Sequence, residues 1–308
     1  MKRFETTKAT FGRHETFPLR YGWLIKGCQG AFDDPELFEA DDATVRLGVG
    51  RNMVSAIKYW MTASDMADVV GGKVRITELG HLLFGSEGWD PYLEDDTTLW
   101  LLHWLIASNA RVATAVFWFF NQYHKTVFTS AELARALTEF CRENCASRYA
   151  AVTLRKDVSM LLRMYVASSA SNDTAFEDSL DSPMADLGLI ARTSAGKDYS
   201  SVPELRWRLP VAAFGYAVAE LFDAINTDVI PVHQFCHSDE GVAAPGCVFR
   251  LTNEGTIGKL EELARFLPEN FEIRETAGIH QVYNTRRIRP LDVIRIHYES
   301  KNKMEIAA

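Results

Sequence analysis

The longest apolar segment of the chain, from Thr98 to Phe120, constrains the fold more than any other stretch. Its sequence, TLWLLHWLIASNARVATAVFWFF, is long enough to cross a bilayer as one helix. It nevertheless contains His103, Asn109 and Arg111, and polar side chains of this kind are costly in lipid. The segment therefore predicts buried core helices of a globular protein and no membrane span.

Composition and charge limit the classes of function. The 308 residues are 47% hydrophobic, which is enough for a sizeable core and, by length, about two domains. The formal net charge of -8 argues against a generally cationic surface for nucleic acid, so any such contact must be local. The five cysteines are scattered, and the N-terminal sequence does not resemble a secretion signal. These features predict a reduced, cytoplasmic protein.

The first 85 residues predict a winged helix-turn-helix. PLRYGWLIKGCQGAF predicts a helix with Pro18 in its first turn, DDATVRLGV predicts a short helix that ends near Gly48, and GRNMVSAIKYWMTAS predicts the next helix. Gly71 and Gly72 lie between two β-branched runs, which predicts a tight hairpin, and ITELGHLLF predicts a return to helix. The alternative is a set of ordinary core elements.

The segment that contains the second and third of these helices has an unusual charge pattern for an acidic protein. No Asp or Glu occurs from Ala43 to Ser64, whereas Arg46, Arg51 and Lys58 are basic. A recognition helix in the DNA major groove must keep carboxylates away from phosphates. The predicted DNA-binding residues are Arg51, Asn52, Ser55, Lys58 and Tyr59 on the helix, and Lys73 and Arg75 on the wing. The alternative is a solvated helix face whose charges are distributed by chance.

The middle of the chain, residues 86–170, is predicted to be helical. DPYLEDDTTLWLLHWLIAS begins with an acidic first turn, FTSAELARALTEFCREN has Ser130 as a candidate N-cap, and SRYAAVTLRKDVSMLLRMYV completes a helical domain. The polar stretch ASSASNDTAFEDSLDSPMADLG then predicts a mobile connection and a domain boundary.

Residues 171–308 predict a small α/β unit. YSSVPELRWRLP is typical of a short strand and VAAFGYAVAELFDAIN of an amphipathic helix. IGKLEELARFL predicts a helix, and FEIRETAGIHQVYN and LDVIRIHYES together predict two or three strands. The expected fold class is thus mainly α (α+β), with domains at 1–85, 86–170 and 171–308.

Familiar catalytic motifs are missing from the sequence. The patterns GxxxxGK[ST], GxGxxG, GxSxG and HExxH do not occur, which disfavours most familiar enzymes. The segment GRHETFPLRYGWLIKG concentrates His14, Glu15, Arg20 and Tyr21, a mixture of base, acid and phosphate-binding groups. These four are the predicted catalytic residues.

Two other clusters are weaker candidates for metal binding, and the metal ligands are left open. Asp90, Glu94, Asp95 and Asp96, with His103, could bind a divalent cation, although an acidic helix start explains the same residues. His233, Cys236, His237 and Cys247 lie close in sequence but match no standard zinc spacing, and Cys141 and Cys145 are expected to be buried thiols. A second basic stretch consists of Arg274, Arg286, Arg287, Arg289 and Arg295.

Five segments spread over the chain carry a family resemblance. They are HETFPLRYGWLIKG, LGVGRNMVSAIKYW, DPYLEDDTTLWLLHW, SPMADLGLI and ETAGIHQVY. In these segments the chain resembles a bacterial family that is encoded beside DNA phosphorothioation genes, that of the SspB-type DNA nickases. The resemblance implies a DNA-binding nicking endonuclease that acts in phosphorothioate modification of DNA and in anti-phage defence.

The same resemblance implies the partners. They are double-stranded DNA, a cysteine desulfurase, an ATPase and an ATP-pyrophosphatase-type protein. Because strand cleavage often needs a divalent metal ion, the expected cofactor is Mg²⁺ or Mn²⁺. It does not identify the family's catalytic residues, and a homodimer is left open. The alternative function is a non-catalytic winged-helix adaptor or regulator of a DNA modification complex.

Overall fold

The N-terminal elements follow one another in the order expected from the sequence. The structure, a computed structural model, describes residues 3–167, 182–194, 196–239, 241–276 and 279–307. The first elements are α1 (Trp23–Asp33), α2 (Ala43–Leu47), α3 (Arg51–Ala63), the strands β1 (Ala67–Val70) and β2 (Lys73–Ile76), and α4 (Glu78–Phe84). Helix, turn, helix, hairpin and helix therefore occur in this order.

Glycines set two of the turns in this unit. Gly48 ends α2 in the left-handed region at φ 61°, where its N–H bonds back to the carbonyls of the preceding turn. Gly71 and Gly72 join β1 to β2 at φ 59° and 84°, which suits a two-residue hairpin. The predicted start of α1 was wrong: the left-handed Gly22, at φ 74°, precedes the first helical residue, Trp23, so Pro18 lies outside the helix.

The long apolar segment forms two core helices, as predicted. They are α5 (Asp96–Ala107) and α6 (Thr114–Gln122), and their side chains are buried almost all round. Two of the polar side chains in the segment form hydrogen bonds inside the protein. His103 Nε2 donates to the Val248 carbonyl at 2.8 Å and Asn109 Nδ2 donates to the Ala63 carbonyl at 3.1 Å. No helix of the described ranges is both long and apolar enough to cross a membrane.

Two helices that pack against each other follow the core pair. They are α7 (Ser130–Asn144) and α8 (Ala151–Tyr165). The N-cap of α7 is Thr129 and not Ser130, because the Thr129 hydroxyl accepts from the Glu132 N–H and the Glu132 carboxylate accepts from the Thr129 N–H. Most of the predicted polar connection, residues 168–181, lies outside the described residues.

One small sheet combines strands from both sides of this connection. β3 (Val127–Phe128) pairs with β5 (Tyr199–Ser200), which also pairs with β4 (Ala191–Arg192). Just before β4 in the sequence, a short 3₁₀ turn at Pro183–Leu187 is capped by the Ser182 hydroxyl. Residues of the predicted middle and C-terminal regions therefore share hydrogen bonds.

The C-terminal region is more helical than predicted. Its elements are α9 (Val211–Ile225), β6 (Val229–Pro231), α10 (Val232–Cys236), α11 (Pro245–Val248), α12 (Asn253–Phe266), β7 (Phe271–Thr276), β8 (Ile279–Asn284) and α13 (Pro290–Ala307). The three strands form one antiparallel sheet in the order β6-β8-β7. α9 is a buried core helix rather than an amphipathic one, because apolar residues cover nearly all its faces.

The expected third strand, LDVIRIHYES, is part of α13, so that prediction was wrong. Its β-branched residues suggested a strand, but Pro290 occupies the first helical position and Asp292 lies in the first turn. Val293, Ile294 and Tyr298 are buried at helical spacing. Tertiary packing of this face thus outweighs the intrinsic preference of the β-branched residues.

Candidate nucleic-acid interface and active site

The first turns of α3 present polar side chains to solvent. Arg51, Asn52 and Ser55 are exposed, and their spacing places them on one helix face. The first turn of α3 contains no acidic residue, and its N-cap, Gly50, provides no side-chain hydrogen bond. This end of the helix therefore combines exposed hydrogen-bond donors with the positive end of the helix dipole.

The predicted DNA-binding cations fall into two groups. Lys58 Nζ lies 2.5 Å from Glu39 Oε1, and Lys73 Nζ lies 2.7 Å from Glu36 Oε1. Within the described ranges, Arg51 and Arg75 form no ion pair, and both are exposed. The two arginines can therefore contact a phosphate without first breaking an ion pair with a carboxylate.

Tyr59 is separated from the other residues predicted to bind DNA. Its hydroxyl donates to the Val112 carbonyl at 3.1 Å, and its ring packs edge-on against Trp60 and His14. Burial, and then the negative charge of Asp157, raise the pKa of Tyr59 well above its usual value. This side chain is directed into the protein and supports the packing of α3.

His14 forms a buried pair with Asp157 of α8. The two side chains are 1% and 4% exposed, and His14 Nε2 lies 2.8 Å from Asp157 Oδ1. His14 Nδ1 accepts the Thr16 N–H at 3.1 Å, which makes Nε2 the donor to the carboxylate. Asp157 Oδ1 also accepts the Gly12 N–H at 3.1 Å. His14 therefore fastens its loop to α8 and has no exposed face for a substrate.

The three other predicted catalytic residues lie at the surface. Glu15 is exposed, and the Arg20 guanidinium lies over the rings of Phe17 and Trp23, at 5.8 and 5.5 Å from their centroids. Tyr21 is 43% exposed, and its hydroxyl donates to Asp186 Oδ2 at 2.5 Å. The structure thus brings Tyr21 to an acid that lies 165 residues further along the chain.

Asp186 borders an open groove with a volume of about 730 Å³. Polar and aromatic groups line it, among them Asp96, Asp186, Glu204, Arg206, Trp207 and Arg208. The Trp207 side chain is 83% exposed, which is unusual for the largest aromatic residue. We call this cleft the Trp207 groove. Neither Asp186 nor Trp207 was identified as a site residue from the sequence, although the RWR tripeptide was a local signal.

The acidic cluster before α5 is used for structure. Both carboxylate oxygens of Asp90 accept backbone N–H groups, from Glu94 at 2.8 Å and from Asp95 at 3.1 Å. Asp95 caps α5 by accepting from the Thr97 N–H at 2.8 Å, and its other oxygen lies 2.8 Å from Lys301 Nζ. Cations and N–H donors therefore already occupy these oxygens.

The described residues contain no group of three or more His, Cys, Asp or Glu side chains able to hold a metal ion. The residues proposed for zinc lie partly in the core: Cys247 Sγ bonds to the Cys236 carbonyl, and burial raises the pKa of both thiols. Burial likewise raises the pKa of Cys141 and Cys145. The donor groups in the described part of the chain therefore do not form a preformed metal site.

The second basic stretch is neutralised by ion pairs. Arg274 pairs with Glu272, Arg286 with Glu269, Arg287 with Asp228, and Arg289 and Arg295 both with Asp292 and Glu78. Every arginine of this stretch has a carboxylate partner, so the stretch offers less free positive charge than its sequence suggests.

Two solved structures are similar to this chain over most of its length. The crystal structure of SspB is 27% identical, covers 96% of this chain and 89% of that chain, and superposes with a TM-score of 0.84. The magnesium ion-bound crystal structure of SspB is 28% identical, with the same coverage and a TM-score of 0.85. The resemblance to the SspB-type family seen in the sequence segments is therefore confirmed.

No curated protein matches the chain significantly. The profile of one sequence family, described as "Protein of unknown function (DUF4007)", matches residues 11–298. Because the match spans nearly the whole chain, the protein belongs to the DUF4007 family.

Proposed function

We propose that the protein binds duplex DNA through its N-terminal unit, which acts as a winged helix-turn-helix with α3 as the recognition helix. The observation that carries the proposal is the exposed set Arg51, Asn52 and Ser55 on the acid-free first turns of α3. In helix-turn-helix proteins these positions face base edges and adjacent phosphates. Arg51 would contact phosphate, and Asn52 and Ser55 would contact bases.

The hairpin β1–β2 is the proposed wing. Arg75 and Lys73 are exposed on β2, next to the Gly71-Gly72 turn. Lys73 is paired with Glu36, so a phosphate would have to replace that carboxylate. Arg75 has no such competitor among the described residues and is the stronger candidate for a phosphate contact.

We propose further that the protein is a DNA-nicking endonuclease that acts in DNA phosphorothioation and anti-phage defence. The likeness to SspB supports a role in that modification system. The site proposed for cleavage is the Tyr21–Asp186 pair at the edge of the Trp207 groove. The Asp186 carboxylate would take the proton of a water molecule, or of the Tyr21 hydroxyl, as that oxygen attacks phosphorus. The bond from phosphorus to the sugar oxygen on the other side would then break, and the leaving oxygen would take a proton from water.

The other residues of the N-terminal motif take supporting roles in this proposal. Arg20 would attract the phosphate, and Glu15 lies on the same exposed loop. His14 holds the loop against α8 through Asp157 and does not touch the substrate. Mg²⁺ or Mn²⁺ is the proposed cofactor, but since the described side chains form no metal-binding group, no step is assigned to it.

The proposed partners are a cysteine desulfurase, an ATPase and an ATP-pyrophosphatase-type protein. The test of the function is conversion of supercoiled plasmid to open circles by purified protein with Mg²⁺ or Mn²⁺, and its loss with a chelator. The Asp186→Asn variant, purified in parallel, controls for contaminating nucleases. The competing function is a DNA-binding adaptor with the same N-terminal unit and no active site. It becomes the better description if plasmid is bound but never nicked, even with the partners present.

A further inference from the structure

Another basic surface lies between α7 and α8 and includes no residue of the proposed recognition helix. A groove of about 470 Å³ runs between these helices and is lined by Arg135, Arg142 and Arg155, with Glu139 as its one carboxylate. Three guanidinium groups thus face one acid in a protein whose net charge is -8. We call this cleft the arginine groove.

Two of the three arginines are available to a ligand. Arg135 and Arg155 are exposed and form no ion pair or hydrogen bond in the described parts of the chain. Arg142 lies 3.5 Å from Glu139 and 3.3 Å from Glu143, both on its own helix and both exposed. Exposed pairs of this kind are weak, so they compete poorly with a phosphate.

Small side chains make up part of the groove lining. Ala131, Ala134 and Ala151 line it together with the arginines, and their methyl groups are too short to hold a DNA backbone away from the guanidinium groups. From Ala131 to Arg142 the groove follows about 16 Å of helix, which equals the rise of about five base pairs. The surface is long enough to contact several consecutive phosphates.

The charge of α8 supports the same ligand. Its only acidic residue, Asp157, is buried against His14, whereas Arg155, Lys156 and Arg163 are exposed. The outer face of α8 therefore carries positive charge only. Arg163 donates to the Thr16 carbonyl at 3.2 Å, so this face continues to the loop that contains Glu15 and leads to Tyr21.

We propose that the arginine groove binds the phosphate backbone of the DNA and guides the strand towards the loop that carries Tyr21. The inference rests on the proposed DNA-binding function and adds a contact surface that the winged helix does not provide. His14 supports both surfaces, because it packs on Tyr59 of α3 and bonds to Asp157 of α8.

The test uses the double variant Arg135→Gln/Arg155→Gln in the full chain, with duplex affinity measured between 0.05 and 0.5 M salt. Loss of two phosphate contacts should lower the slope of log K against log salt by about 1.8 and weaken binding about 60-fold at 0.1 M salt. The matched control is Arg265→Gln/Lys303→Gln, which removes two exposed charges elsewhere and should leave both quantities unchanged.

A third variant, Arg51→Ala/Arg75→Ala, separates this inference from the proposed recognition helix. Weaker binding in both variants supports both surfaces, and weaker binding only in the groove variant keeps the groove and rejects the recognition helix. Wild-type affinity and slope in the folded groove variant would overturn the inference, as would an equal loss in the Arg265/Lys303 control. A wild-type protein that binds no DNA at any salt concentration, but binds polyglutamate through these arginines, would reassign the groove to an acidic protein partner.

Discussion

The guanidinium group of Arg250 donates to the backbone carbonyl of Phe119 at 2.9 Å, at the C-terminal end of α6. The same side chain reaches the carbonyls of Phe120 and Tyr123, and Arg250 Nε donates to the Ser201 hydroxyl at 3.0 Å. Arg250 is 6% exposed, and burial lowers its pKa to about 10. A buried cation thus donates hydrogen bonds to the last carbonyls of a core helix, where the negative end of the helix dipole also stabilises its charge.

Replacing Arg250 by Met should therefore destabilise the protein. The substitution keeps most of the apolar stem but leaves buried carbonyls without donors, which we expect to lower the free energy of unfolding by about 3 kcal/mol. Urea unfolding of Arg250→Met measures the change, and Arg265→Met, at an exposed position of α12, is the control. Equal stability of the two variants would show that water can replace the guanidinium at the end of α6.

The buried His103 predicts a pH dependence of stability. Burial lowers the pKa of His103 from 6.5 to about 3. Below pH 6.5 the unfolded chain binds a proton at this residue that the folded protein does not, so stability falls as the pH falls. The slope approaches about 1.4 kcal/mol per pH unit for this one group.

The variant His103→Gln tests this prediction, because an amide can still donate to the Val248 carbonyl and accept from the Tyr165 hydroxyl. Urea unfolding between pH 7.5 and 5.5 should show a shallower decline in stability for the variant than for the wild type. Parallel curves over this range would mean that His103 takes up its proton in the folded protein as readily as in the unfolded chain.

Structural features that depend on neighbouring residues alone could be predicted from the sequence. The Gly71-Gly72 hairpin and the end of α2 at Gly48 follow from backbone conformations that glycine adopts without strain. The buried pair α5 and α6 follows from a long apolar run. The strand predicted for LDVIRIHYES was wrong. Its β-branched residues suit a strand, but the segment is a helix whose Val293 and Ile294 are buried, and the local sequence does not show which residues they pack against.

The candidate site depends on contacts between distant residues, which sequence spacing does not report. Tyr21 and Asp186 are 165 positions apart, and His14 and Asp157 are 143 apart. Lys58 looked as available as Arg51 in the sequence, but Glu39, in a separate turn, pairs with it. The residue types in the N-terminal motif therefore suggested acid–base and phosphate-binding roles. Only the tertiary structure shows that His14 is buried, whereas the other three candidate residues lie at the surface.

The burial of His14 changes what its removal should do. His14→Ala leaves the buried Asp157 carboxylate with the Gly12 N–H as its one remaining partner among the described residues, so we expect a loss of about 3 kcal/mol in unfolding free energy. Glu15→Ala, one residue away and exposed, should change stability by about 0.5 kcal/mol or less. Chemical denaturation distinguishes the two variants. A His14→Ala protein that is as stable as Glu15→Ala but unable to nick DNA would return His14 to a catalytic role.

The two basic residues on α3 should contribute unequally to DNA binding. Arg51→Ala should lower the salt slope of duplex binding by about 0.9, the value for one phosphate contact. Lys58→Ala should have a smaller effect, because Lys58 must first leave Glu39. Fluorescence anisotropy over a range of salt concentrations measures both slopes. Asn52→Ala should instead change the preference among duplex sequences, and equal slopes for Arg51→Ala and Lys58→Ala would show that the Glu39 pair does not persist in solution.

The Tyr21–Asp186 pair and the acidic cluster before α5 make opposite forecasts for nicking. Asp186→Asn removes the proposed base and should slow plasmid nicking by about 100-fold or more, with little change in stability because Asp186 is exposed. Asp95→Asn removes the charge that pairs with Lys301 and should lower stability while nicking continues. Initial rates at saturating DNA, with melting curves for each variant, compare the two sites.

Tyr21→Phe then identifies the attacking oxygen. If Tyr21 is the nucleophile, the variant cannot nick DNA. When a reaction of the wild-type protein is then stopped with detergent, the protein should carry covalently bound DNA. If water is the nucleophile, Tyr21→Phe retains most of the rate and no adduct forms, since Asp186 can still accept the proton. Nicking that is lost in folded Asp95→Asn but kept in Asp186→Asn would contradict both routes, and it would move the cleavage site to the start of α5.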